Sequence, residues 1–208
     1  MAQEELQKMN VTNFISKIVL NGKKVFFTSD THFFHANVIR YTNRPFDSVE
    51  QMNKTLIDNW NRVVGKNDVV FHLGDFAFGG KKQWNQILDQ LNGKIYLVLG
   101  NHDMAFFKTA LVERFELVAL EMYAIIDEQH IRLSHEPFLC YGGSNRNVWQ
   151  LFGHVHSREN KGGRYADRLA MLTAMQYDVG VDNNNYTPVS FEQVRDIISC
   201  RMTSQATL

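Results

Sequence analysis

The chain has 208 residues, 44% of them hydrophobic and 21% charged, proportions that exclude a disordered tail, a collagen-like fibre or a coiled-coil rod. Lys plus Arg equals Asp plus Glu at 22 each, so no global basic footprint exists for duplex nucleic acid, and a polyanionic partner has to be held by a local site. One domain over 1–208 is the expectation from length. With no apolar h-region in the first ten residues and no apolar run longer than a strand, no signal peptide and no membrane span is expected, and the location expected is cytoplasmic.

Val25 to Ser29 is an apolar run that reads as a buried strand delivering Asp30 at its end. Ser48 and Gln51 have capping-box spacing ahead of Met52, Leu56, Trp60 and Val63, which predicts an amphipathic helix over 48–64, stopped at Gly65. Val69 to Leu73 is the next predicted strand, and Trp84, Ile87, Leu88 and Leu91 mark a second helix that Asn92-Gly93 ends. Lys94 to Leu99 is a third strand running into Gly100. Strands alternating with helices long enough for crossovers imply parallel pairing, with a ligand crevice beyond the carboxyl ends of the strands. Later strands are predicted at Leu117 to Ile126, His130 to Ser134, Val148 to Phe152 and Met175 to Val181, with a turn at Asp127-Glu128-Gln129 and a terminal helix over Ser190 to Cys200. Arg158 to Arg168 is the most loop-like stretch and is expected to be mobile. Cys140 and Cys200, in neither redox nor zinc spacing, are expected to be reduced, half-buried thiols.

Each strand end carries metal-binding side chains. They are Asp30-Thr31-His32, Gly74-Asp75, Gly100-Asn101-His102-Asp103, His135, and Gly153-His154-Val155-His156. Carboxylate, imidazole and amide donors together suit a borderline divalent ion such as Mn, Fe, Co, Ni or Zn. Seven candidate ligands, Asp30, His32, Asp75, Asn101, His135, His154 and His156, exceed what one four-coordinate site uses, which argues for two ions. If Asp75 is shared, one ion has Asp30, His32 and a histidine, and the other has Asn101, His135 and the remaining histidine. The D-x-H and H-x-H spacings fit loops or strands, where residues two apart share a face.

In this order, D-x-H, G-D, G-N-H-D, H and G-H-x-H resemble the motifs of the calcineurin-like binuclear metallophosphoesterases. Asp30 through Tyr41, with Val179-Gly180-Val181-Asp182, is similar to a compact bacterial and phage branch of that family. The resemblance implies an α/β fold, a two-sheet β-sandwich flanked by α-helices. It also implies Asp30, His32 and His156 on one ion, Asn101, His135 and His154 on the other, and Asp75 bridging. His102 matches the family's non-ligand catalytic histidine, and Asp103 its partner. One departure is the stretch Phe76-Ala77-Phe78-Gly79, where many relatives place an acidic residue or a tyrosine.

The activity implied is that of a metal-dependent phosphoric ester hydrolase with two divalent cofactor ions, manganese preferred over iron, zinc, nickel or cobalt. The substrate expected is a small phosphodiester or phosphomonoester, a nucleotide or cyclic nucleotide in preference, cleaved by in-line attack of a metal-bridging hydroxide. Two rivals stand beside this. One is a nuclease on single-stranded nucleic acid, which would make nucleic acid a partner only as substrate. The other is a catalytically silent interaction module, against which the retained His102 and full ligand set argue.

Substrate contacts are expected from Asn101, His102, His35, Arg146 and Arg164, and solvated loop charge from Arg44. His72 reads as a core residue and His130 as a turn residue. Phe33, Phe34, Phe76, Phe78, Phe106 and Phe107 read chiefly as packing, although an exposed pair could stack a nucleobase.

Overall fold

The computed structural model describes residues 16–105, 111–157 and 165–205. In chain order these form β1 (Ser16–Leu20), β2 (Val25–Thr28), α1 (Ala36–Tyr41), α2 (Val49–Val63), β3 (Val69–His72), α3 (Lys81–Leu88) and β4 (Lys94–Val98). The second half comprises β5 (Leu117–Ala119), β6 (Glu121–Ile126), β7 (Gln129–Ser134), β8 (Trp149–Phe152), the one-turn α4 (Ala166–Leu169), β9 (Gln176–Asp178), β10 (Val189–Ser190) and α5 (Phe191–Gln205). The strands make two five-stranded sheets, ordered β10-β2-β3-β4-β5 and β1-β6-β7-β8-β9. β2, β3, β4 and β5 are mutually parallel, as are β7, β8 and β9, so both sheets direct carboxyl ends toward the site residues.

Every side chain of β2 and β3 is buried, the pattern of a central strand covered on both faces. Val25, Phe27, Val69 and Phe71 face the other sheet's Met122, Ala124, Ile126, Ile131, Leu133 and Leu151, and Val194 and Ile198 of α5 complete this core. Phe26, Val70, Ile95 and Leu97 point the other way, against Met52, Leu56 and Trp60 of α2 and Trp84 and Ile87 of α3. α2 begins where the sequence places it, with Ser48 Oγ accepting from Gln51 N at 3.1 Å. At α5 the reciprocal pair forms, Gln193 N to Ser190 Oγ and Ser190 N to Gln193 Oε1. Among the described residues no helix is long and apolar enough to cross a membrane.

Several expectations are corrected. The predicted strand over Leu117 to Ile126 is two strands in different sheets, β5 beside β4 and β6 beside β1 and β7, with the chain changing sheet at Leu120. The predicted strand over Met175 to Val181 ends at Asp178, after which Val181 N donates to Ser29 O and ties the segment to the end of β2. β1 and α1 had no counterpart in the sequence reading. Asp127 and Glu128 alone make the hairpin turn, both at positive φ, as a two-residue type I′ turn requires. His130 lies in β7, exposed, with Nδ1 2.8 Å from the Tyr123 hydroxyl. Cys140 and Cys200 are free, as expected, but exposed rather than half-buried. The Arg158 to Arg168 loop falls mostly outside the described residues, as do Phe106 and Phe107.

Candidate metal centre

The loops after β2 and β3 run on side by side beyond their strands. Asp30 N donates to Gly74 O at 2.9 Å, His32 N to Asp75 O at 3.0 Å and Phe33 N to Phe76 O at 3.0 Å. Asp30, His32, Asp75, His154 and His156 all have positive φ, between 44° and 68°, a conformation uncommon for non-glycine residues and concentrated at functional sites. The D-x-H and H-x-H spacings therefore work through a left-handed residue at each named side chain and not, as a strand reading suggests, through pleating. Each loop is held by backbone donors: His154 N binds Asp30 Oδ2 at 2.9 Å, and His102 N binds Asp75 Oδ1 at 3.0 Å.

Two groups of side chains converge, Asp30 with His32 and His156, and Asp75 with His135 and His154. In the first, His32 Nε2 and His156 Nε2 each lie 3.8 Å from Asp30 Oδ1. In the second, Asn101 Oδ1 joins, 3.1 Å from His135 Nε2 and 3.0 Å from His154 Nδ1, and those two nitrogens are 3.2 Å apart. Asp75 Oδ2 faces both groups, 3.6 Å from His32 Nε2 and 3.6 Å from His135 Nε2, with His102 Nε2 at 3.8 Å.

These spacings test whether divalent ions fit. Separations of 3.6 to 3.8 Å are too long for hydrogen bonds but suit donors sharing one cation at about 2.1 Å. Asn101 Oδ1, His135 Nε2 and His154 Nδ1 form a triangle with sides of 3.0 to 3.2 Å, three atoms that can turn lone pairs to one point. Burial pushes Asp75 up to about 6 despite the opposing His135, and burial, with Arg44 and neighbouring imidazoles, holds His32 well below its usual range. His154 is also lowered, by burial and then His135. An imidazole kept neutral offers a lone pair, and His32 turns Nε2 toward the carboxylates of Asp30 and Asp75. The residues fit a pair of divalent ions.

The other predicted residues divide. His102 is half exposed at the mouth, its ring 5.5 Å from that of His32. His35 is also brought in, stacked on Phe78 at 3.8 Å and 13°, with Phe78 5.0 Å from His102. The loop that departs from the family pattern thus contributes an aromatic wall. Asp103 does not hold the His102 ring: its buried carboxylate accepts from Asp75 N, Phe76 N and Gly100 N at 2.7 to 3.0 Å and so clamps two ligand loops together. Burial raises it to about 7.

Arg146 is exposed in the turn before β8, where the neighbouring Asn147 carbonyl accepts from Gln129 at the start of β7. His135 follows the other end of that strand, six residues or roughly 20 Å away, so Arg146 lies at the wrong end of the sheet to meet substrate. Arg164 lies outside the described residues.

Sequence reasoning missed two buried residues. Arg44, read as solvated loop charge, is 4% exposed and donates from Nε and Nη2 to both carboxylate oxygens of Asp182, at 2.8 and 3.0 Å. Asp182 in turn lies 2.5 Å from His156 Nδ1. For His156, burial alone lowers the pKa, but the Asp182 hydrogen bond and the Asp30 charge prevail and raise it to about 8. The signal available for Asp182 was the rule that served elsewhere: a polar residue just past the carboxyl end of a strand.

A calcineurin-like phosphoesterase family model matches residues 23–182. An uncharacterised protein of Methanocaldococcus jannaschii is 36% identical over 183 residues, covering 86% of this chain and 93% of that protein. The gene 66 protein of Mycobacterium phage D29 is 28% identical over 201 residues, covering 84% and 96%. Among solved structures, a protein of unknown function from Aquifex aeolicus superposes with a TM-score of 0.66 at 26% identity, over 85% of this chain and all of that one.

Proposed function

The chain belongs to the calcineurin-like phosphoesterase family, and from that premise we propose that it hydrolyses a small phosphoester, a nucleotide or cyclic nucleotide in preference, at a two-ion centre. Asp30, His32 and His156 would hold one ion, Asn101, His135 and His154 the other, and Asp75 both. The observation that carries this reading is Asp75 Oδ2, one oxygen equidistant at 3.6 Å from an imidazole of each group. Mixed oxygen and nitrogen donors without thiolate favour manganese, with iron, zinc, nickel or cobalt compatible. When bound, two divalent ions supply charge for the phosphoryl oxygens and the Lewis acidity that makes water a nucleophile near neutral pH.

The chain's own residues do the rest. His102, half exposed and 3.8 Å from Asp75 Oδ2, is placed to meet a phosphoryl or leaving-group oxygen and, as imidazolium, to donate a proton to it. Its backbone N–H fixes the second oxygen of Asp75, so only Oδ2 faces the centre. Asp103 keeps the Asp75 and Gly100 loops in register. His35 and Phe78 wall the mouth on the His102 side, an apolar surface suited to a leaving group with a ring.

A metal-reconstituted panel tests the proposal: bis-p-nitrophenyl phosphate, p-nitrophenyl phosphate, cyclic nucleotides and single-stranded oligonucleotides. Turnover of a small ester that survives added salt is expected. Oligonucleotide cleavage falling steeply with salt would favour the nuclease reading, and no hydrolysis of any member by metal-loaded protein would favour the silent module.

A further inference from the structure

The two metal groups are anchored differently. His135 Nδ1 in the second group lies 2.8 Å from the Leu73 carbonyl, a neutral backbone acceptor. His156 in the first group is anchored by a buried carboxylate that is itself paired to a buried guanidinium. That guanidinium does more: Nη2 donates to Asp30 O at 2.6 Å and Nη1 to Thr31 O at 3.0 Å. Arg44 thereby grips the backbone of one member of the first group while fixing, through Asp182, the imidazole of another. These members come from opposite sheets, Asp30 after β2 and His156 after β8. In the second group Asp103 joins the Asp75 and Gly100 loops, but these follow β3 and β4 of one sheet, so among the described residues that clamp does not cross between sheets.

We propose that the Arg44–Asp182 pair is a positioning device for the first metal group alone, setting the distance between Asp30 and His156 and so the affinity of that one ion. This deepens the reading of the site as a two-ion centre and rests on it. The physical basis is general. A ligating histidine whose other nitrogen donates to a carboxylate has its tautomer and ring orientation fixed, and losing such a partner weakens metal binding roughly 10- to 100-fold. Because Asp182 and Arg44 neutralise each other, the pair acts by geometry, with little net charge presented to the ion. A buried pair of this kind costs desolvation that a surface pair does not, and its placement against ligands of both sheets gives that cost a purpose.

The test is stepwise titration of manganese into chelated protein, followed calorimetrically and by the electron paramagnetic resonance of coupled ions, for wild type, Asp182→Asn and Asp182→Ala. One dissociation constant is expected to rise roughly 10- to 100-fold in Asp182→Ala while the other stays within about twofold, and the coupled-ion signal is lost at stoichiometric metal. Asp182→Asn keeps an acceptor for the His156 proton, so it should recover part of the loss. Thermal melting of the metal-free proteins checks folding. Should removing one partner of a buried pair unfold the chain, the uncharged double variant Arg44→Leu/Asp182→Ala carries the same expectation as Asp182→Ala. Two unchanged constants in folded Asp182→Ala, or both weakened equally, would overturn the inference. A wild type that binds no manganese would instead overturn the metal reading on which it rests.

Discussion

His102 and His72 show how similar side chains in neighbouring strand ends acquire opposite roles. His102 meets solvent and lies 3.8 Å from Asp75 Oδ2, and it ligates neither ion in the proposed scheme. His102→Ala should therefore keep both ions while losing about 10²- to 10⁴-fold in turnover, checked by metal content beside steady-state rates. His72 is fully buried: Gly74 N donates to its Nδ1, leaving Nε2 to pair with Thr31 Oγ1 at 2.9 Å. The ring has no room for a second proton, and burial holds its pKa down to about 3. A depressed folded pKa contributes stability that is complete above the unfolded value of 6.5 and is lost as pH falls toward 3. From pH 7 to pH 5 this amounts to about 2 kcal/mol. Urea unfolding of chelated wild type and His72→Gln at the two pH values checks it. The difference between them should shrink at pH 5, and parallel pH dependence would contradict it. As a sequence feature His72 was legible as core because it interrupts an apolar run, whereas the inward turn of Arg44 was not, since nothing local distinguishes a buried guanidinium from a solvated one.

At the scale of elements, α2 and α3 followed from periodicity, because burial of one face imposes it, most strands followed from short apolar runs, and α5 followed from its capping-box spacing. What periodicity could not show was β5 and β6 as separate strands, since the apolar run continues through Leu120 while the hydrogen-bonding partner changes. The ligand loops were legible by residue type but not by conformation, as Asp and His occupy positive-φ positions where turn chemistry would lead one to expect Gly. Gly100 and Gly153 beside them serve close approach instead. A Cβ on Gly153 would collide with Ser29 Oγ and the Asp30 carboxylate, and one on Gly100 with Asp75 itself. Gly153→Ala should displace Asp30 from the first group and weaken manganese binding by about tenfold or more. Equilibrium dialysis reads this directly, and wild-type affinity would show that the loop yields.

Across the whole molecule, each candidate metal group draws on both sheets. Asp30 and His32 follow β2 while His156 follows β8, and Asp75 follows β3 while His135 and His154 follow β7 and β8. Ions bound here would join the two sheets at their carboxyl ends, where the core of the sandwich gives way to polar side chains. Binding to the folded state alone stabilises it by about 2.7 kcal/mol per site at a hundredfold excess over Kd. Manganese should accordingly raise the melting temperature of chelated protein, and the rise should shrink for Gly153→Ala. This convergence was readable from motif order, while the second layer holding it, Asp103 on the loop backbones and Arg44 with Asp182, required the folded chain, because its members are remote in sequence and touch only through tertiary packing.

The central claim is most directly tested by counting the manganese ions bound by chelated, refilled wild type and by Asp75→Asn. Two ions per chain in the wild type, with the loss of both high-affinity ions when Asp75 is neutralised, is the result predicted. A wild type that holds none or only one, or an Asp75→Asn protein that retains two, would contradict it.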